Sequence, residues 1–242
     1  MSMMLLLILA AAATAAQPFK RHETGRDLDF DYSWPREAAV IPPLAARLRR
    51  EMLAARRSTA RDARADRADR EQGETFNPHG FEQSWTFAGQ SRRLASFTGA
   101  TYAFTGGAHP NHGSQALLWD KGSGDEVKLK AIVTLPLTTL IGRDFCRKLN
   151  AVRKHRRGPD PYPVGDGFSK CPSLNEITLV PTDADHDGRF ETIAATADAY
   201  VAGPYAEGDY DVTLPVTAAL LAALLAALKP AYRSSFALAQ RQ

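Results

Sequence analysis

The sequence predicts an α+β fold: a largely antiparallel sheet packed against a few helices as one compact body. Two observations carry that reading. Strand-like segments come in clusters between helical stretches and do not alternate strictly with them, which favours antiparallel pairing over βαβ units. Hydrophobic residues make up 44% of the 242 and charged residues 24%, enough apolar side chains for a real core.

Residues 27–34 alternate Leu28, Phe30 and Tyr32 with Asp27, Asp29 and Asp31, the period-two signature of a half-buried strand. Pro42 and Pro43 then suit the first turn of a helix, where a missing N–H costs little. Leu44, Leu48 and Met52 follow at spacing four, one apolar stripe. From Arg56 to Glu71 that stripe thins to alanines among Arg and Asp, and pairs such as Asp66–Arg70 and Arg67–Glu71 predict a solvent-facing helix. Strands are expected at 84–90 and 93–104, and 117–119 and 126–129 form a hairpin across a Gly-rich turn. A helix is expected over 136–153, strands at 176–180 and 190–197 around an Asp-rich turn, a strand at 210–214, and a helix opened by Pro215 and closed at Lys229-Pro230. Its face of Leu220, Leu221, Leu224, Leu225 and Leu228 is too short for a membrane span and reads as core.

The N-terminus runs from Met1 through a Leu- and Ala-rich stretch to Ala16, with its first charged side chain at Lys20. That is the pattern of a cleavable signal peptide over residues 1–16, and it places the mature chain in the periplasm or outside the cell. Cys146 and Cys171 are the only cysteines; in an exported chain the pair favours a disulfide, worth roughly 3 kcal/mol on the chain-entropy model. A net charge of +3 is too small to imply a nucleic-acid partner, and no segment has the length of a transmembrane span. The basic runs 47–70 and 148–157 read as solvated helix faces, with an anionic wall polymer or lipid head group as the alternative contact.

Three stretches stand out together. The first is Asp29-Phe30-Asp31-Tyr32-Ser33-Trp34-Pro35 before a helix. The second runs from Tyr102 through Gly106-Gly107-Ala108-His109-Pro110-Asn111 to Leu118-Trp119-Asp120 and a glycine turn. The third runs from Tyr200 through Gly203-Pro204-Tyr205 and Glu207-Gly208-Asp209 to Tyr210 and the terminal helix. Their order and spacing resemble the paired DUF4163/DUF3298-type domains of exported bacterial proteins, with a DUF4163-like half over 26–120 and a DUF3298-like half over 121–232. That pair precedes the catalytic domain of a peptidoglycan deacetylase and forms the ectodomain of a lysozyme-sensing anti-sigma factor. The resemblance implies a non-catalytic envelope module, with peptidoglycan or a wall-active protein such as lysozyme as partner. The absence of a membrane span argues against a sensor, and the dozen residues after Pro230 leave no room for a deacetylase domain, so deacetylation is not carried over. Lysozyme binding belongs to one branch and is not carried over either.

Within these stretches, Gly106, Gly107, His109 and Asn111, with Tyr205 and Glu207, are the candidate ligand-binding residues. Paired glycines permit positive φ, and such loops bring N–H groups and a ring edge close to a ligand. The plain alternative is a structural turn. Asp183, Asp185 and Asp187 with Gly188 repeat the start of an EF-hand loop, so calcium is the one cofactor the residues suggest. Position twelve, however, is Ala194 and not a bidentate Glu, Glu191 supplies only partial compensation, and an Asp-stabilised turn explains the same pattern. No Gly-x-Ser-x-Gly, His-Glu-x-x-His, phosphate-binding loop or Cys-x-x-Cys occurs, so no catalytic residue is assigned. The leading expectation is a non-catalytic binding module of the cell envelope. The alternatives are a wall-polymer hydrolase or deacetylase-like enzyme using His109 with Glu207 or Asp209, and a calcium-stabilised structural domain.

Overall fold

A computed structural model describes residues 16–71, 74–159, 162 and 167–240. The leader expected over 1–16 therefore lies, apart from Ala16, outside the described residues. The strands are β1 (Phe19–Thr24), β2 (Leu28–Trp34), β3 (His79–Gln90), β4 (Leu94–Phe104), β5 (Asn111–Asp120), β6 (Asp125–Val127), β7 (Thr178–Thr182), β8 (Thr192–Ala197) and β9 (Tyr210–Pro215). The helices are α1 (Arg36–Ala39), α2 (Pro42–Asp69), α3 (Arg143–Arg157) and α4 (Ala218–Ala227).

The strands form two sheets, one of six in the order β1 to β6 and one of three in the order β7 to β9. All neighbours are antiparallel except β2 and β3. That parallel pair follows from α2, because parallel neighbours need a long crossover and α2 supplies it. Side-chain parity then makes three layers. Phe30, Tyr32 and Trp34 of β2, Ala95 and Phe97 of β4, and Leu117 and Trp119 of β5 join Leu44, Leu48 and Met52 of α2 in one core. Leu94 and Leu118, one residue out of phase, join a second core with β7 to β9, α3 and α4. Each half of the chain thus covers one face of the first sheet.

Several boundaries differ from the expectation. The strand β1 was not anticipated: its edge position leaves alternate residues exposed, and Phe19, stacked on Trp34 at 3.8 Å, is its one large apolar residue. Pro215 ends β9 instead of opening a helix; α4 starts at Ala218, with Thr217 as N-cap accepting from the Leu220 N–H at 3.3 Å. The helix expected from 136 begins as a π turn, Thr138–Gly142, and continues as α3 to Arg157. Cys146 and Cys171 are joined, tying α3 to the segment before β7. Among the described residues no helix is long and apolar enough to cross a membrane.

The two basic runs also differ from solvated faces. In α2, Arg56 clamps the Glu23 carboxylate of β1 through contacts of 2.7 and 2.5 Å, Arg67 pairs with Asp27, and both Arg67 and Arg70 lie over the Phe76 ring. In α3, Arg153 is buried, 1% exposed, and among the described residues no carboxylate pairs with it. Its guanidinium donates to Ala202 O at 2.9 and 3.0 Å, to Lys170 O at 3.2 Å and to Asn150 Oδ1 at 3.2 Å. Burial pushes its proton affinity down.

Two predictions follow from these anchors. Replacing Arg153 with Met strands the Ala202 and Lys170 carbonyls without donors, and the expected cost is about 2–4 kcal/mol, read from the urea midpoint; a variant as stable as the wild type contradicts this role. The Arg56 hydrogen bonds hold the Glu23 carboxyl at about 2, below its ordinary 4.5, even though partial burial opposes them. Its contribution is therefore present above pH 4.5 and is lost as pH falls towards 2. Because the side chain is partly exposed, the effect is about 1 kcal/mol or less, and Glu23→Gln is expected to flatten that part of an acid stability titration.

Candidate functional site

The 106–111 loop and the turn around Tyr205 meet although their sequences lie far apart. The His109 ring stacks on Tyr205 with centroids 4.2 Å apart, and the Tyr205 hydroxyl donates to Pro110 O at 3.0 Å. Further rings extend the contact: Tyr200 lies 5.6 Å from Tyr205, His112 lies 6.4 Å from it, and Tyr102 lies 5.3 Å from His112. His109, His112 and Tyr200 are exposed, so the five rings make a continuous aromatic surface. Gly106 takes φ 81°, a conformation few residues but glycine adopt, and it lies beside Arg70. Gly107 is exposed with nothing close to it, and Asn111 opens β5 at the surface.

Glu207 has a different setting. Its carboxylate accepts from the Tyr162 hydroxyl at 2.5 Å and from the Tyr210 hydroxyl, and it pairs with Arg157. Arg156 lies over the Tyr210 ring at 4.3 Å and donates to Asp209 O at 2.8 Å. The basic run of α3 therefore fastens the Tyr205 turn. Asp209 accepts from the Ala199 N–H at 3.0 Å. Among the described residues the His109 ring bonds Pro110 O at 2.9 Å, and both carboxylates named as possible acid–base partners are engaged elsewhere.

Asp183, Asp185 and Asp187 lie in the turn between β7 and β8, and one oxygen from each falls within 4.8 Å of the others. Asp183 is buried and accepts from the Gly188 N–H at 3.2 Å. Glu191, at the start of β8, is buried too and accepts from the Ala184 N–H; burial first, and the Asp185 and Asp183 charges after it, push its carboxyl up.

A groove of about 920 Å³ lies where the two halves of the chain meet along β5. Tyr32, Trp85 and Leu117 belong to its floor, and Gln115 stands exposed within it. Trp85 donates to the Tyr32 hydroxyl at 3.3 Å. Gln115 donates to the Thr101 hydroxyl at 3.0 Å, which donates to Gln83 Oε1 at 2.7 Å. Gly99 lets these side chains close in, since a Cβ there comes within 2.9 Å of both Gln83 and Trp85. Arg47 of α2 reaches Glu51 at 2.7 Å and also pairs with Glu126 of β6, and all three line the groove. From the second half, Leu137 and Leu179 complete the lining. The sequence reading did not find this groove. Its members are scattered over more than one hundred residues, and none forms a local motif.

Comparison with known proteins bears on the first half of the chain and on the fold. Residues 23–112 match the family model described as Deacetylase PdaC. A DUF3298 family protein of Pseudomonas aeruginosa superposes with a TM-score of 0.57 at 15% identity, covering 89% of this chain and 95% of that one. A DUF3298 family member of Bacteroides fragilis superposes with a TM-score of 0.52 at 13% identity, covering 89% and 94%. No curated protein matches. The resemblance read from the sequence therefore holds: a PdaC-type segment in the first half, within the fold of solved DUF3298 proteins.

The turn that carries Tyr205 depends on Gly203, where a Cβ comes within 2.6 Å of the Tyr162 hydroxyl and 2.8 Å of Glu207 Oε2. Gly203→Ala is expected to break the Glu207 network and cost about 1–3 kcal/mol in a denaturant melt. A midpoint equal to the wild type's sinks this account of the turn.

Proposed function

We propose that the chain is a non-catalytic binding module of the cell envelope that takes a glycan-bearing wall fragment into the groove along β5. The observation that carries this reading is the groove itself: an aromatic and aliphatic floor with a line of amide and hydroxyl groups, opening between charged walls. Such a mixture suits a sugar chain, whose apolar ring faces stack on aromatic side chains while its hydroxyls and amides take hydrogen bonds. Support for the envelope comes from the leader-like N-terminus, the disulfide and the PdaC-type segment, whose name belongs to a deacetylase.

A second reading places the ligand on the ring surface of His109, His112, Tyr200 and Tyr205, where exposed aromatic side chains stand together. Exposed rings in one patch mark contact surfaces more often than isolated ones do. The two readings separate cleanly by substitution. Gln115→Trp fills the groove from an exposed position, and a His109→Ala, Tyr200→Ala pair strips the ring surface. Titration calorimetry with soluble peptidoglycan fragments is expected to show binding weakened about tenfold or more by Gln115→Trp and unchanged by the pair. The reverse pattern assigns the ligand to the ring surface, and no heat with the wild type removes the proposal.

A further inference from the structure

The turn between β7 and β8 has the composition of an incomplete EF-hand loop, and its surroundings complete it. We propose that residues 183–191 bind a calcium ion through the carboxylates of Asp183, Asp185 and Asp187, with Glu191 closing the site in place of the carboxylate missing at position twelve.

Three aspartates near one another do not make a site, because exposed acidic turns are common. The deciding observation lies beneath them. Asp183 and Glu191 are 4% and 7% exposed, and each keeps one carboxylate oxygen, Oδ1 and Oε2, buried without a hydrogen-bond partner. A carboxylate oxygen shut away from water and unpaired is costly, and native folds satisfy such groups with a donor or a cation. The other oxygen of each is used to shape the loop: Asp183 Oδ2 accepts from Gly188 N–H and Glu191 Oε1 from Ala184 N–H. The Ala184 bond holds the Glu191 carboxylate against the same loop, whose three aspartates each bring one oxygen within 4.8 Å of the others.

The available counter-charges are placed outside. Arg189 pairs with Asp187 Oδ2 at 2.8 Å, and Gln240 donates to Asp185 Oδ2 at 3.1 Å, both at exposed positions. Lys148 borders the same recess without an ion pair to it, and among the described residues no Arg or Lys pairs with Asp183 or Glu191. Three aspartate carboxylates therefore converge, Asp185 Oδ1 also accepting from the Asp187 N–H at 3.1 Å, and among the described residues the buried oxygens Asp183 Oδ1 and Glu191 Oε2 are left without a donor. An all-oxygen set in an irregular loop is the preference of calcium, which accepts six to eight oxygens in flexible geometry. Magnesium demands near-octahedral ligands and gives up its waters reluctantly, so it is the weaker match.

The site also sits at a junction. The Asp183 N–H donates to Ala88 O at the β3 bulge, and Glu191 O accepts from the Val216 N–H after β9. An ion here joins the first sheet, the second sheet and the C-terminal segment that carries Gln240.

The experiment is a melting and calorimetric titration of the mature chain, first stripped by chelator, with calcium chloride and separately with magnesium chloride. Calcium is expected to bind at a single site and, at saturation, to raise the melting temperature by about 5 °C or more, reversibly with chelator. Magnesium at equal concentration is expected to do much less. Asp185→Asn with Asp187→Asn, both at exposed positions, is expected to keep the metal-free melting temperature and lose the calcium response. No heat and no shift in the wild type overturns the proposal, as does a full response in the double variant. An equal response to magnesium overturns the assignment to calcium.

Discussion

The seat of β7 on the first sheet governs the rest of the molecule. At the β3 bulge Gly89 takes φ 136°, and a side chain there comes within 2.5 Å of the Asp183 nitrogen. Glycine alone lets the Asp183 N–H reach Ala88 O at 3.0 Å. At the other end of β7, Thr178 donates to Ser114 O at 3.0 Å, and Asp198 accepts from both the backbone N–H and the hydroxyl of Ser114. These anchors lay the second half of the chain across β3, β4 and β5. They also explain why β4 and β5 are apolar on both parities: Leu94 and Leu118 face one half, Ala95, Phe97, Leu117 and Trp119 the other.

The groove is a consequence of that seating. The α2 helix covers the inner face through Leu44, Leu48 and Met52, and among the described residues no strand pairs the β5 edge beyond β6. The second half comes up to that edge at Ser114, and the Arg47–Glu126 pair lies in the groove lining. The shape of the groove and the fold are therefore linked: the same contacts that fasten the two halves set the space between them. The aromatic cluster at the other candidate surface is fastened in a comparable way, by Glu207, Arg156 and Arg157 beneath the Tyr205 turn.

What the sequence made legible was local. Alternation exposed β2, spacing of four exposed α2, and the Asp-rich turn announced the β7–β8 hairpin. The glycine, histidine and tyrosine stretches were singled out as candidate binding residues, and in the structure their loops are in contact. Illegible parts were those decided by partners far along the chain. Nothing near Arg56 announces Glu23, 33 residues away, and nothing in the basic run of α3 distinguishes the buried Arg153 from its exposed neighbours. Position Glu191 looked peripheral because the sequence motif ranks residues by spacing, whereas burial of its carboxylate against Ala184 is a three-dimensional fact. The groove escaped for the same reason, being lined by surfaces from both halves.

We propose that the seam between the halves, and not a catalytic group, is the surface at which the chain takes its ligand. A crystal structure of the chain with a soluble disaccharide–peptide wall fragment tests it most directly. The fragment is expected intact, over Trp85 and beside Gln115, near the Arg47–Glu126 ion pair. A cleaved or deacetylated fragment, or one bound with the seam left empty, contradicts the claim.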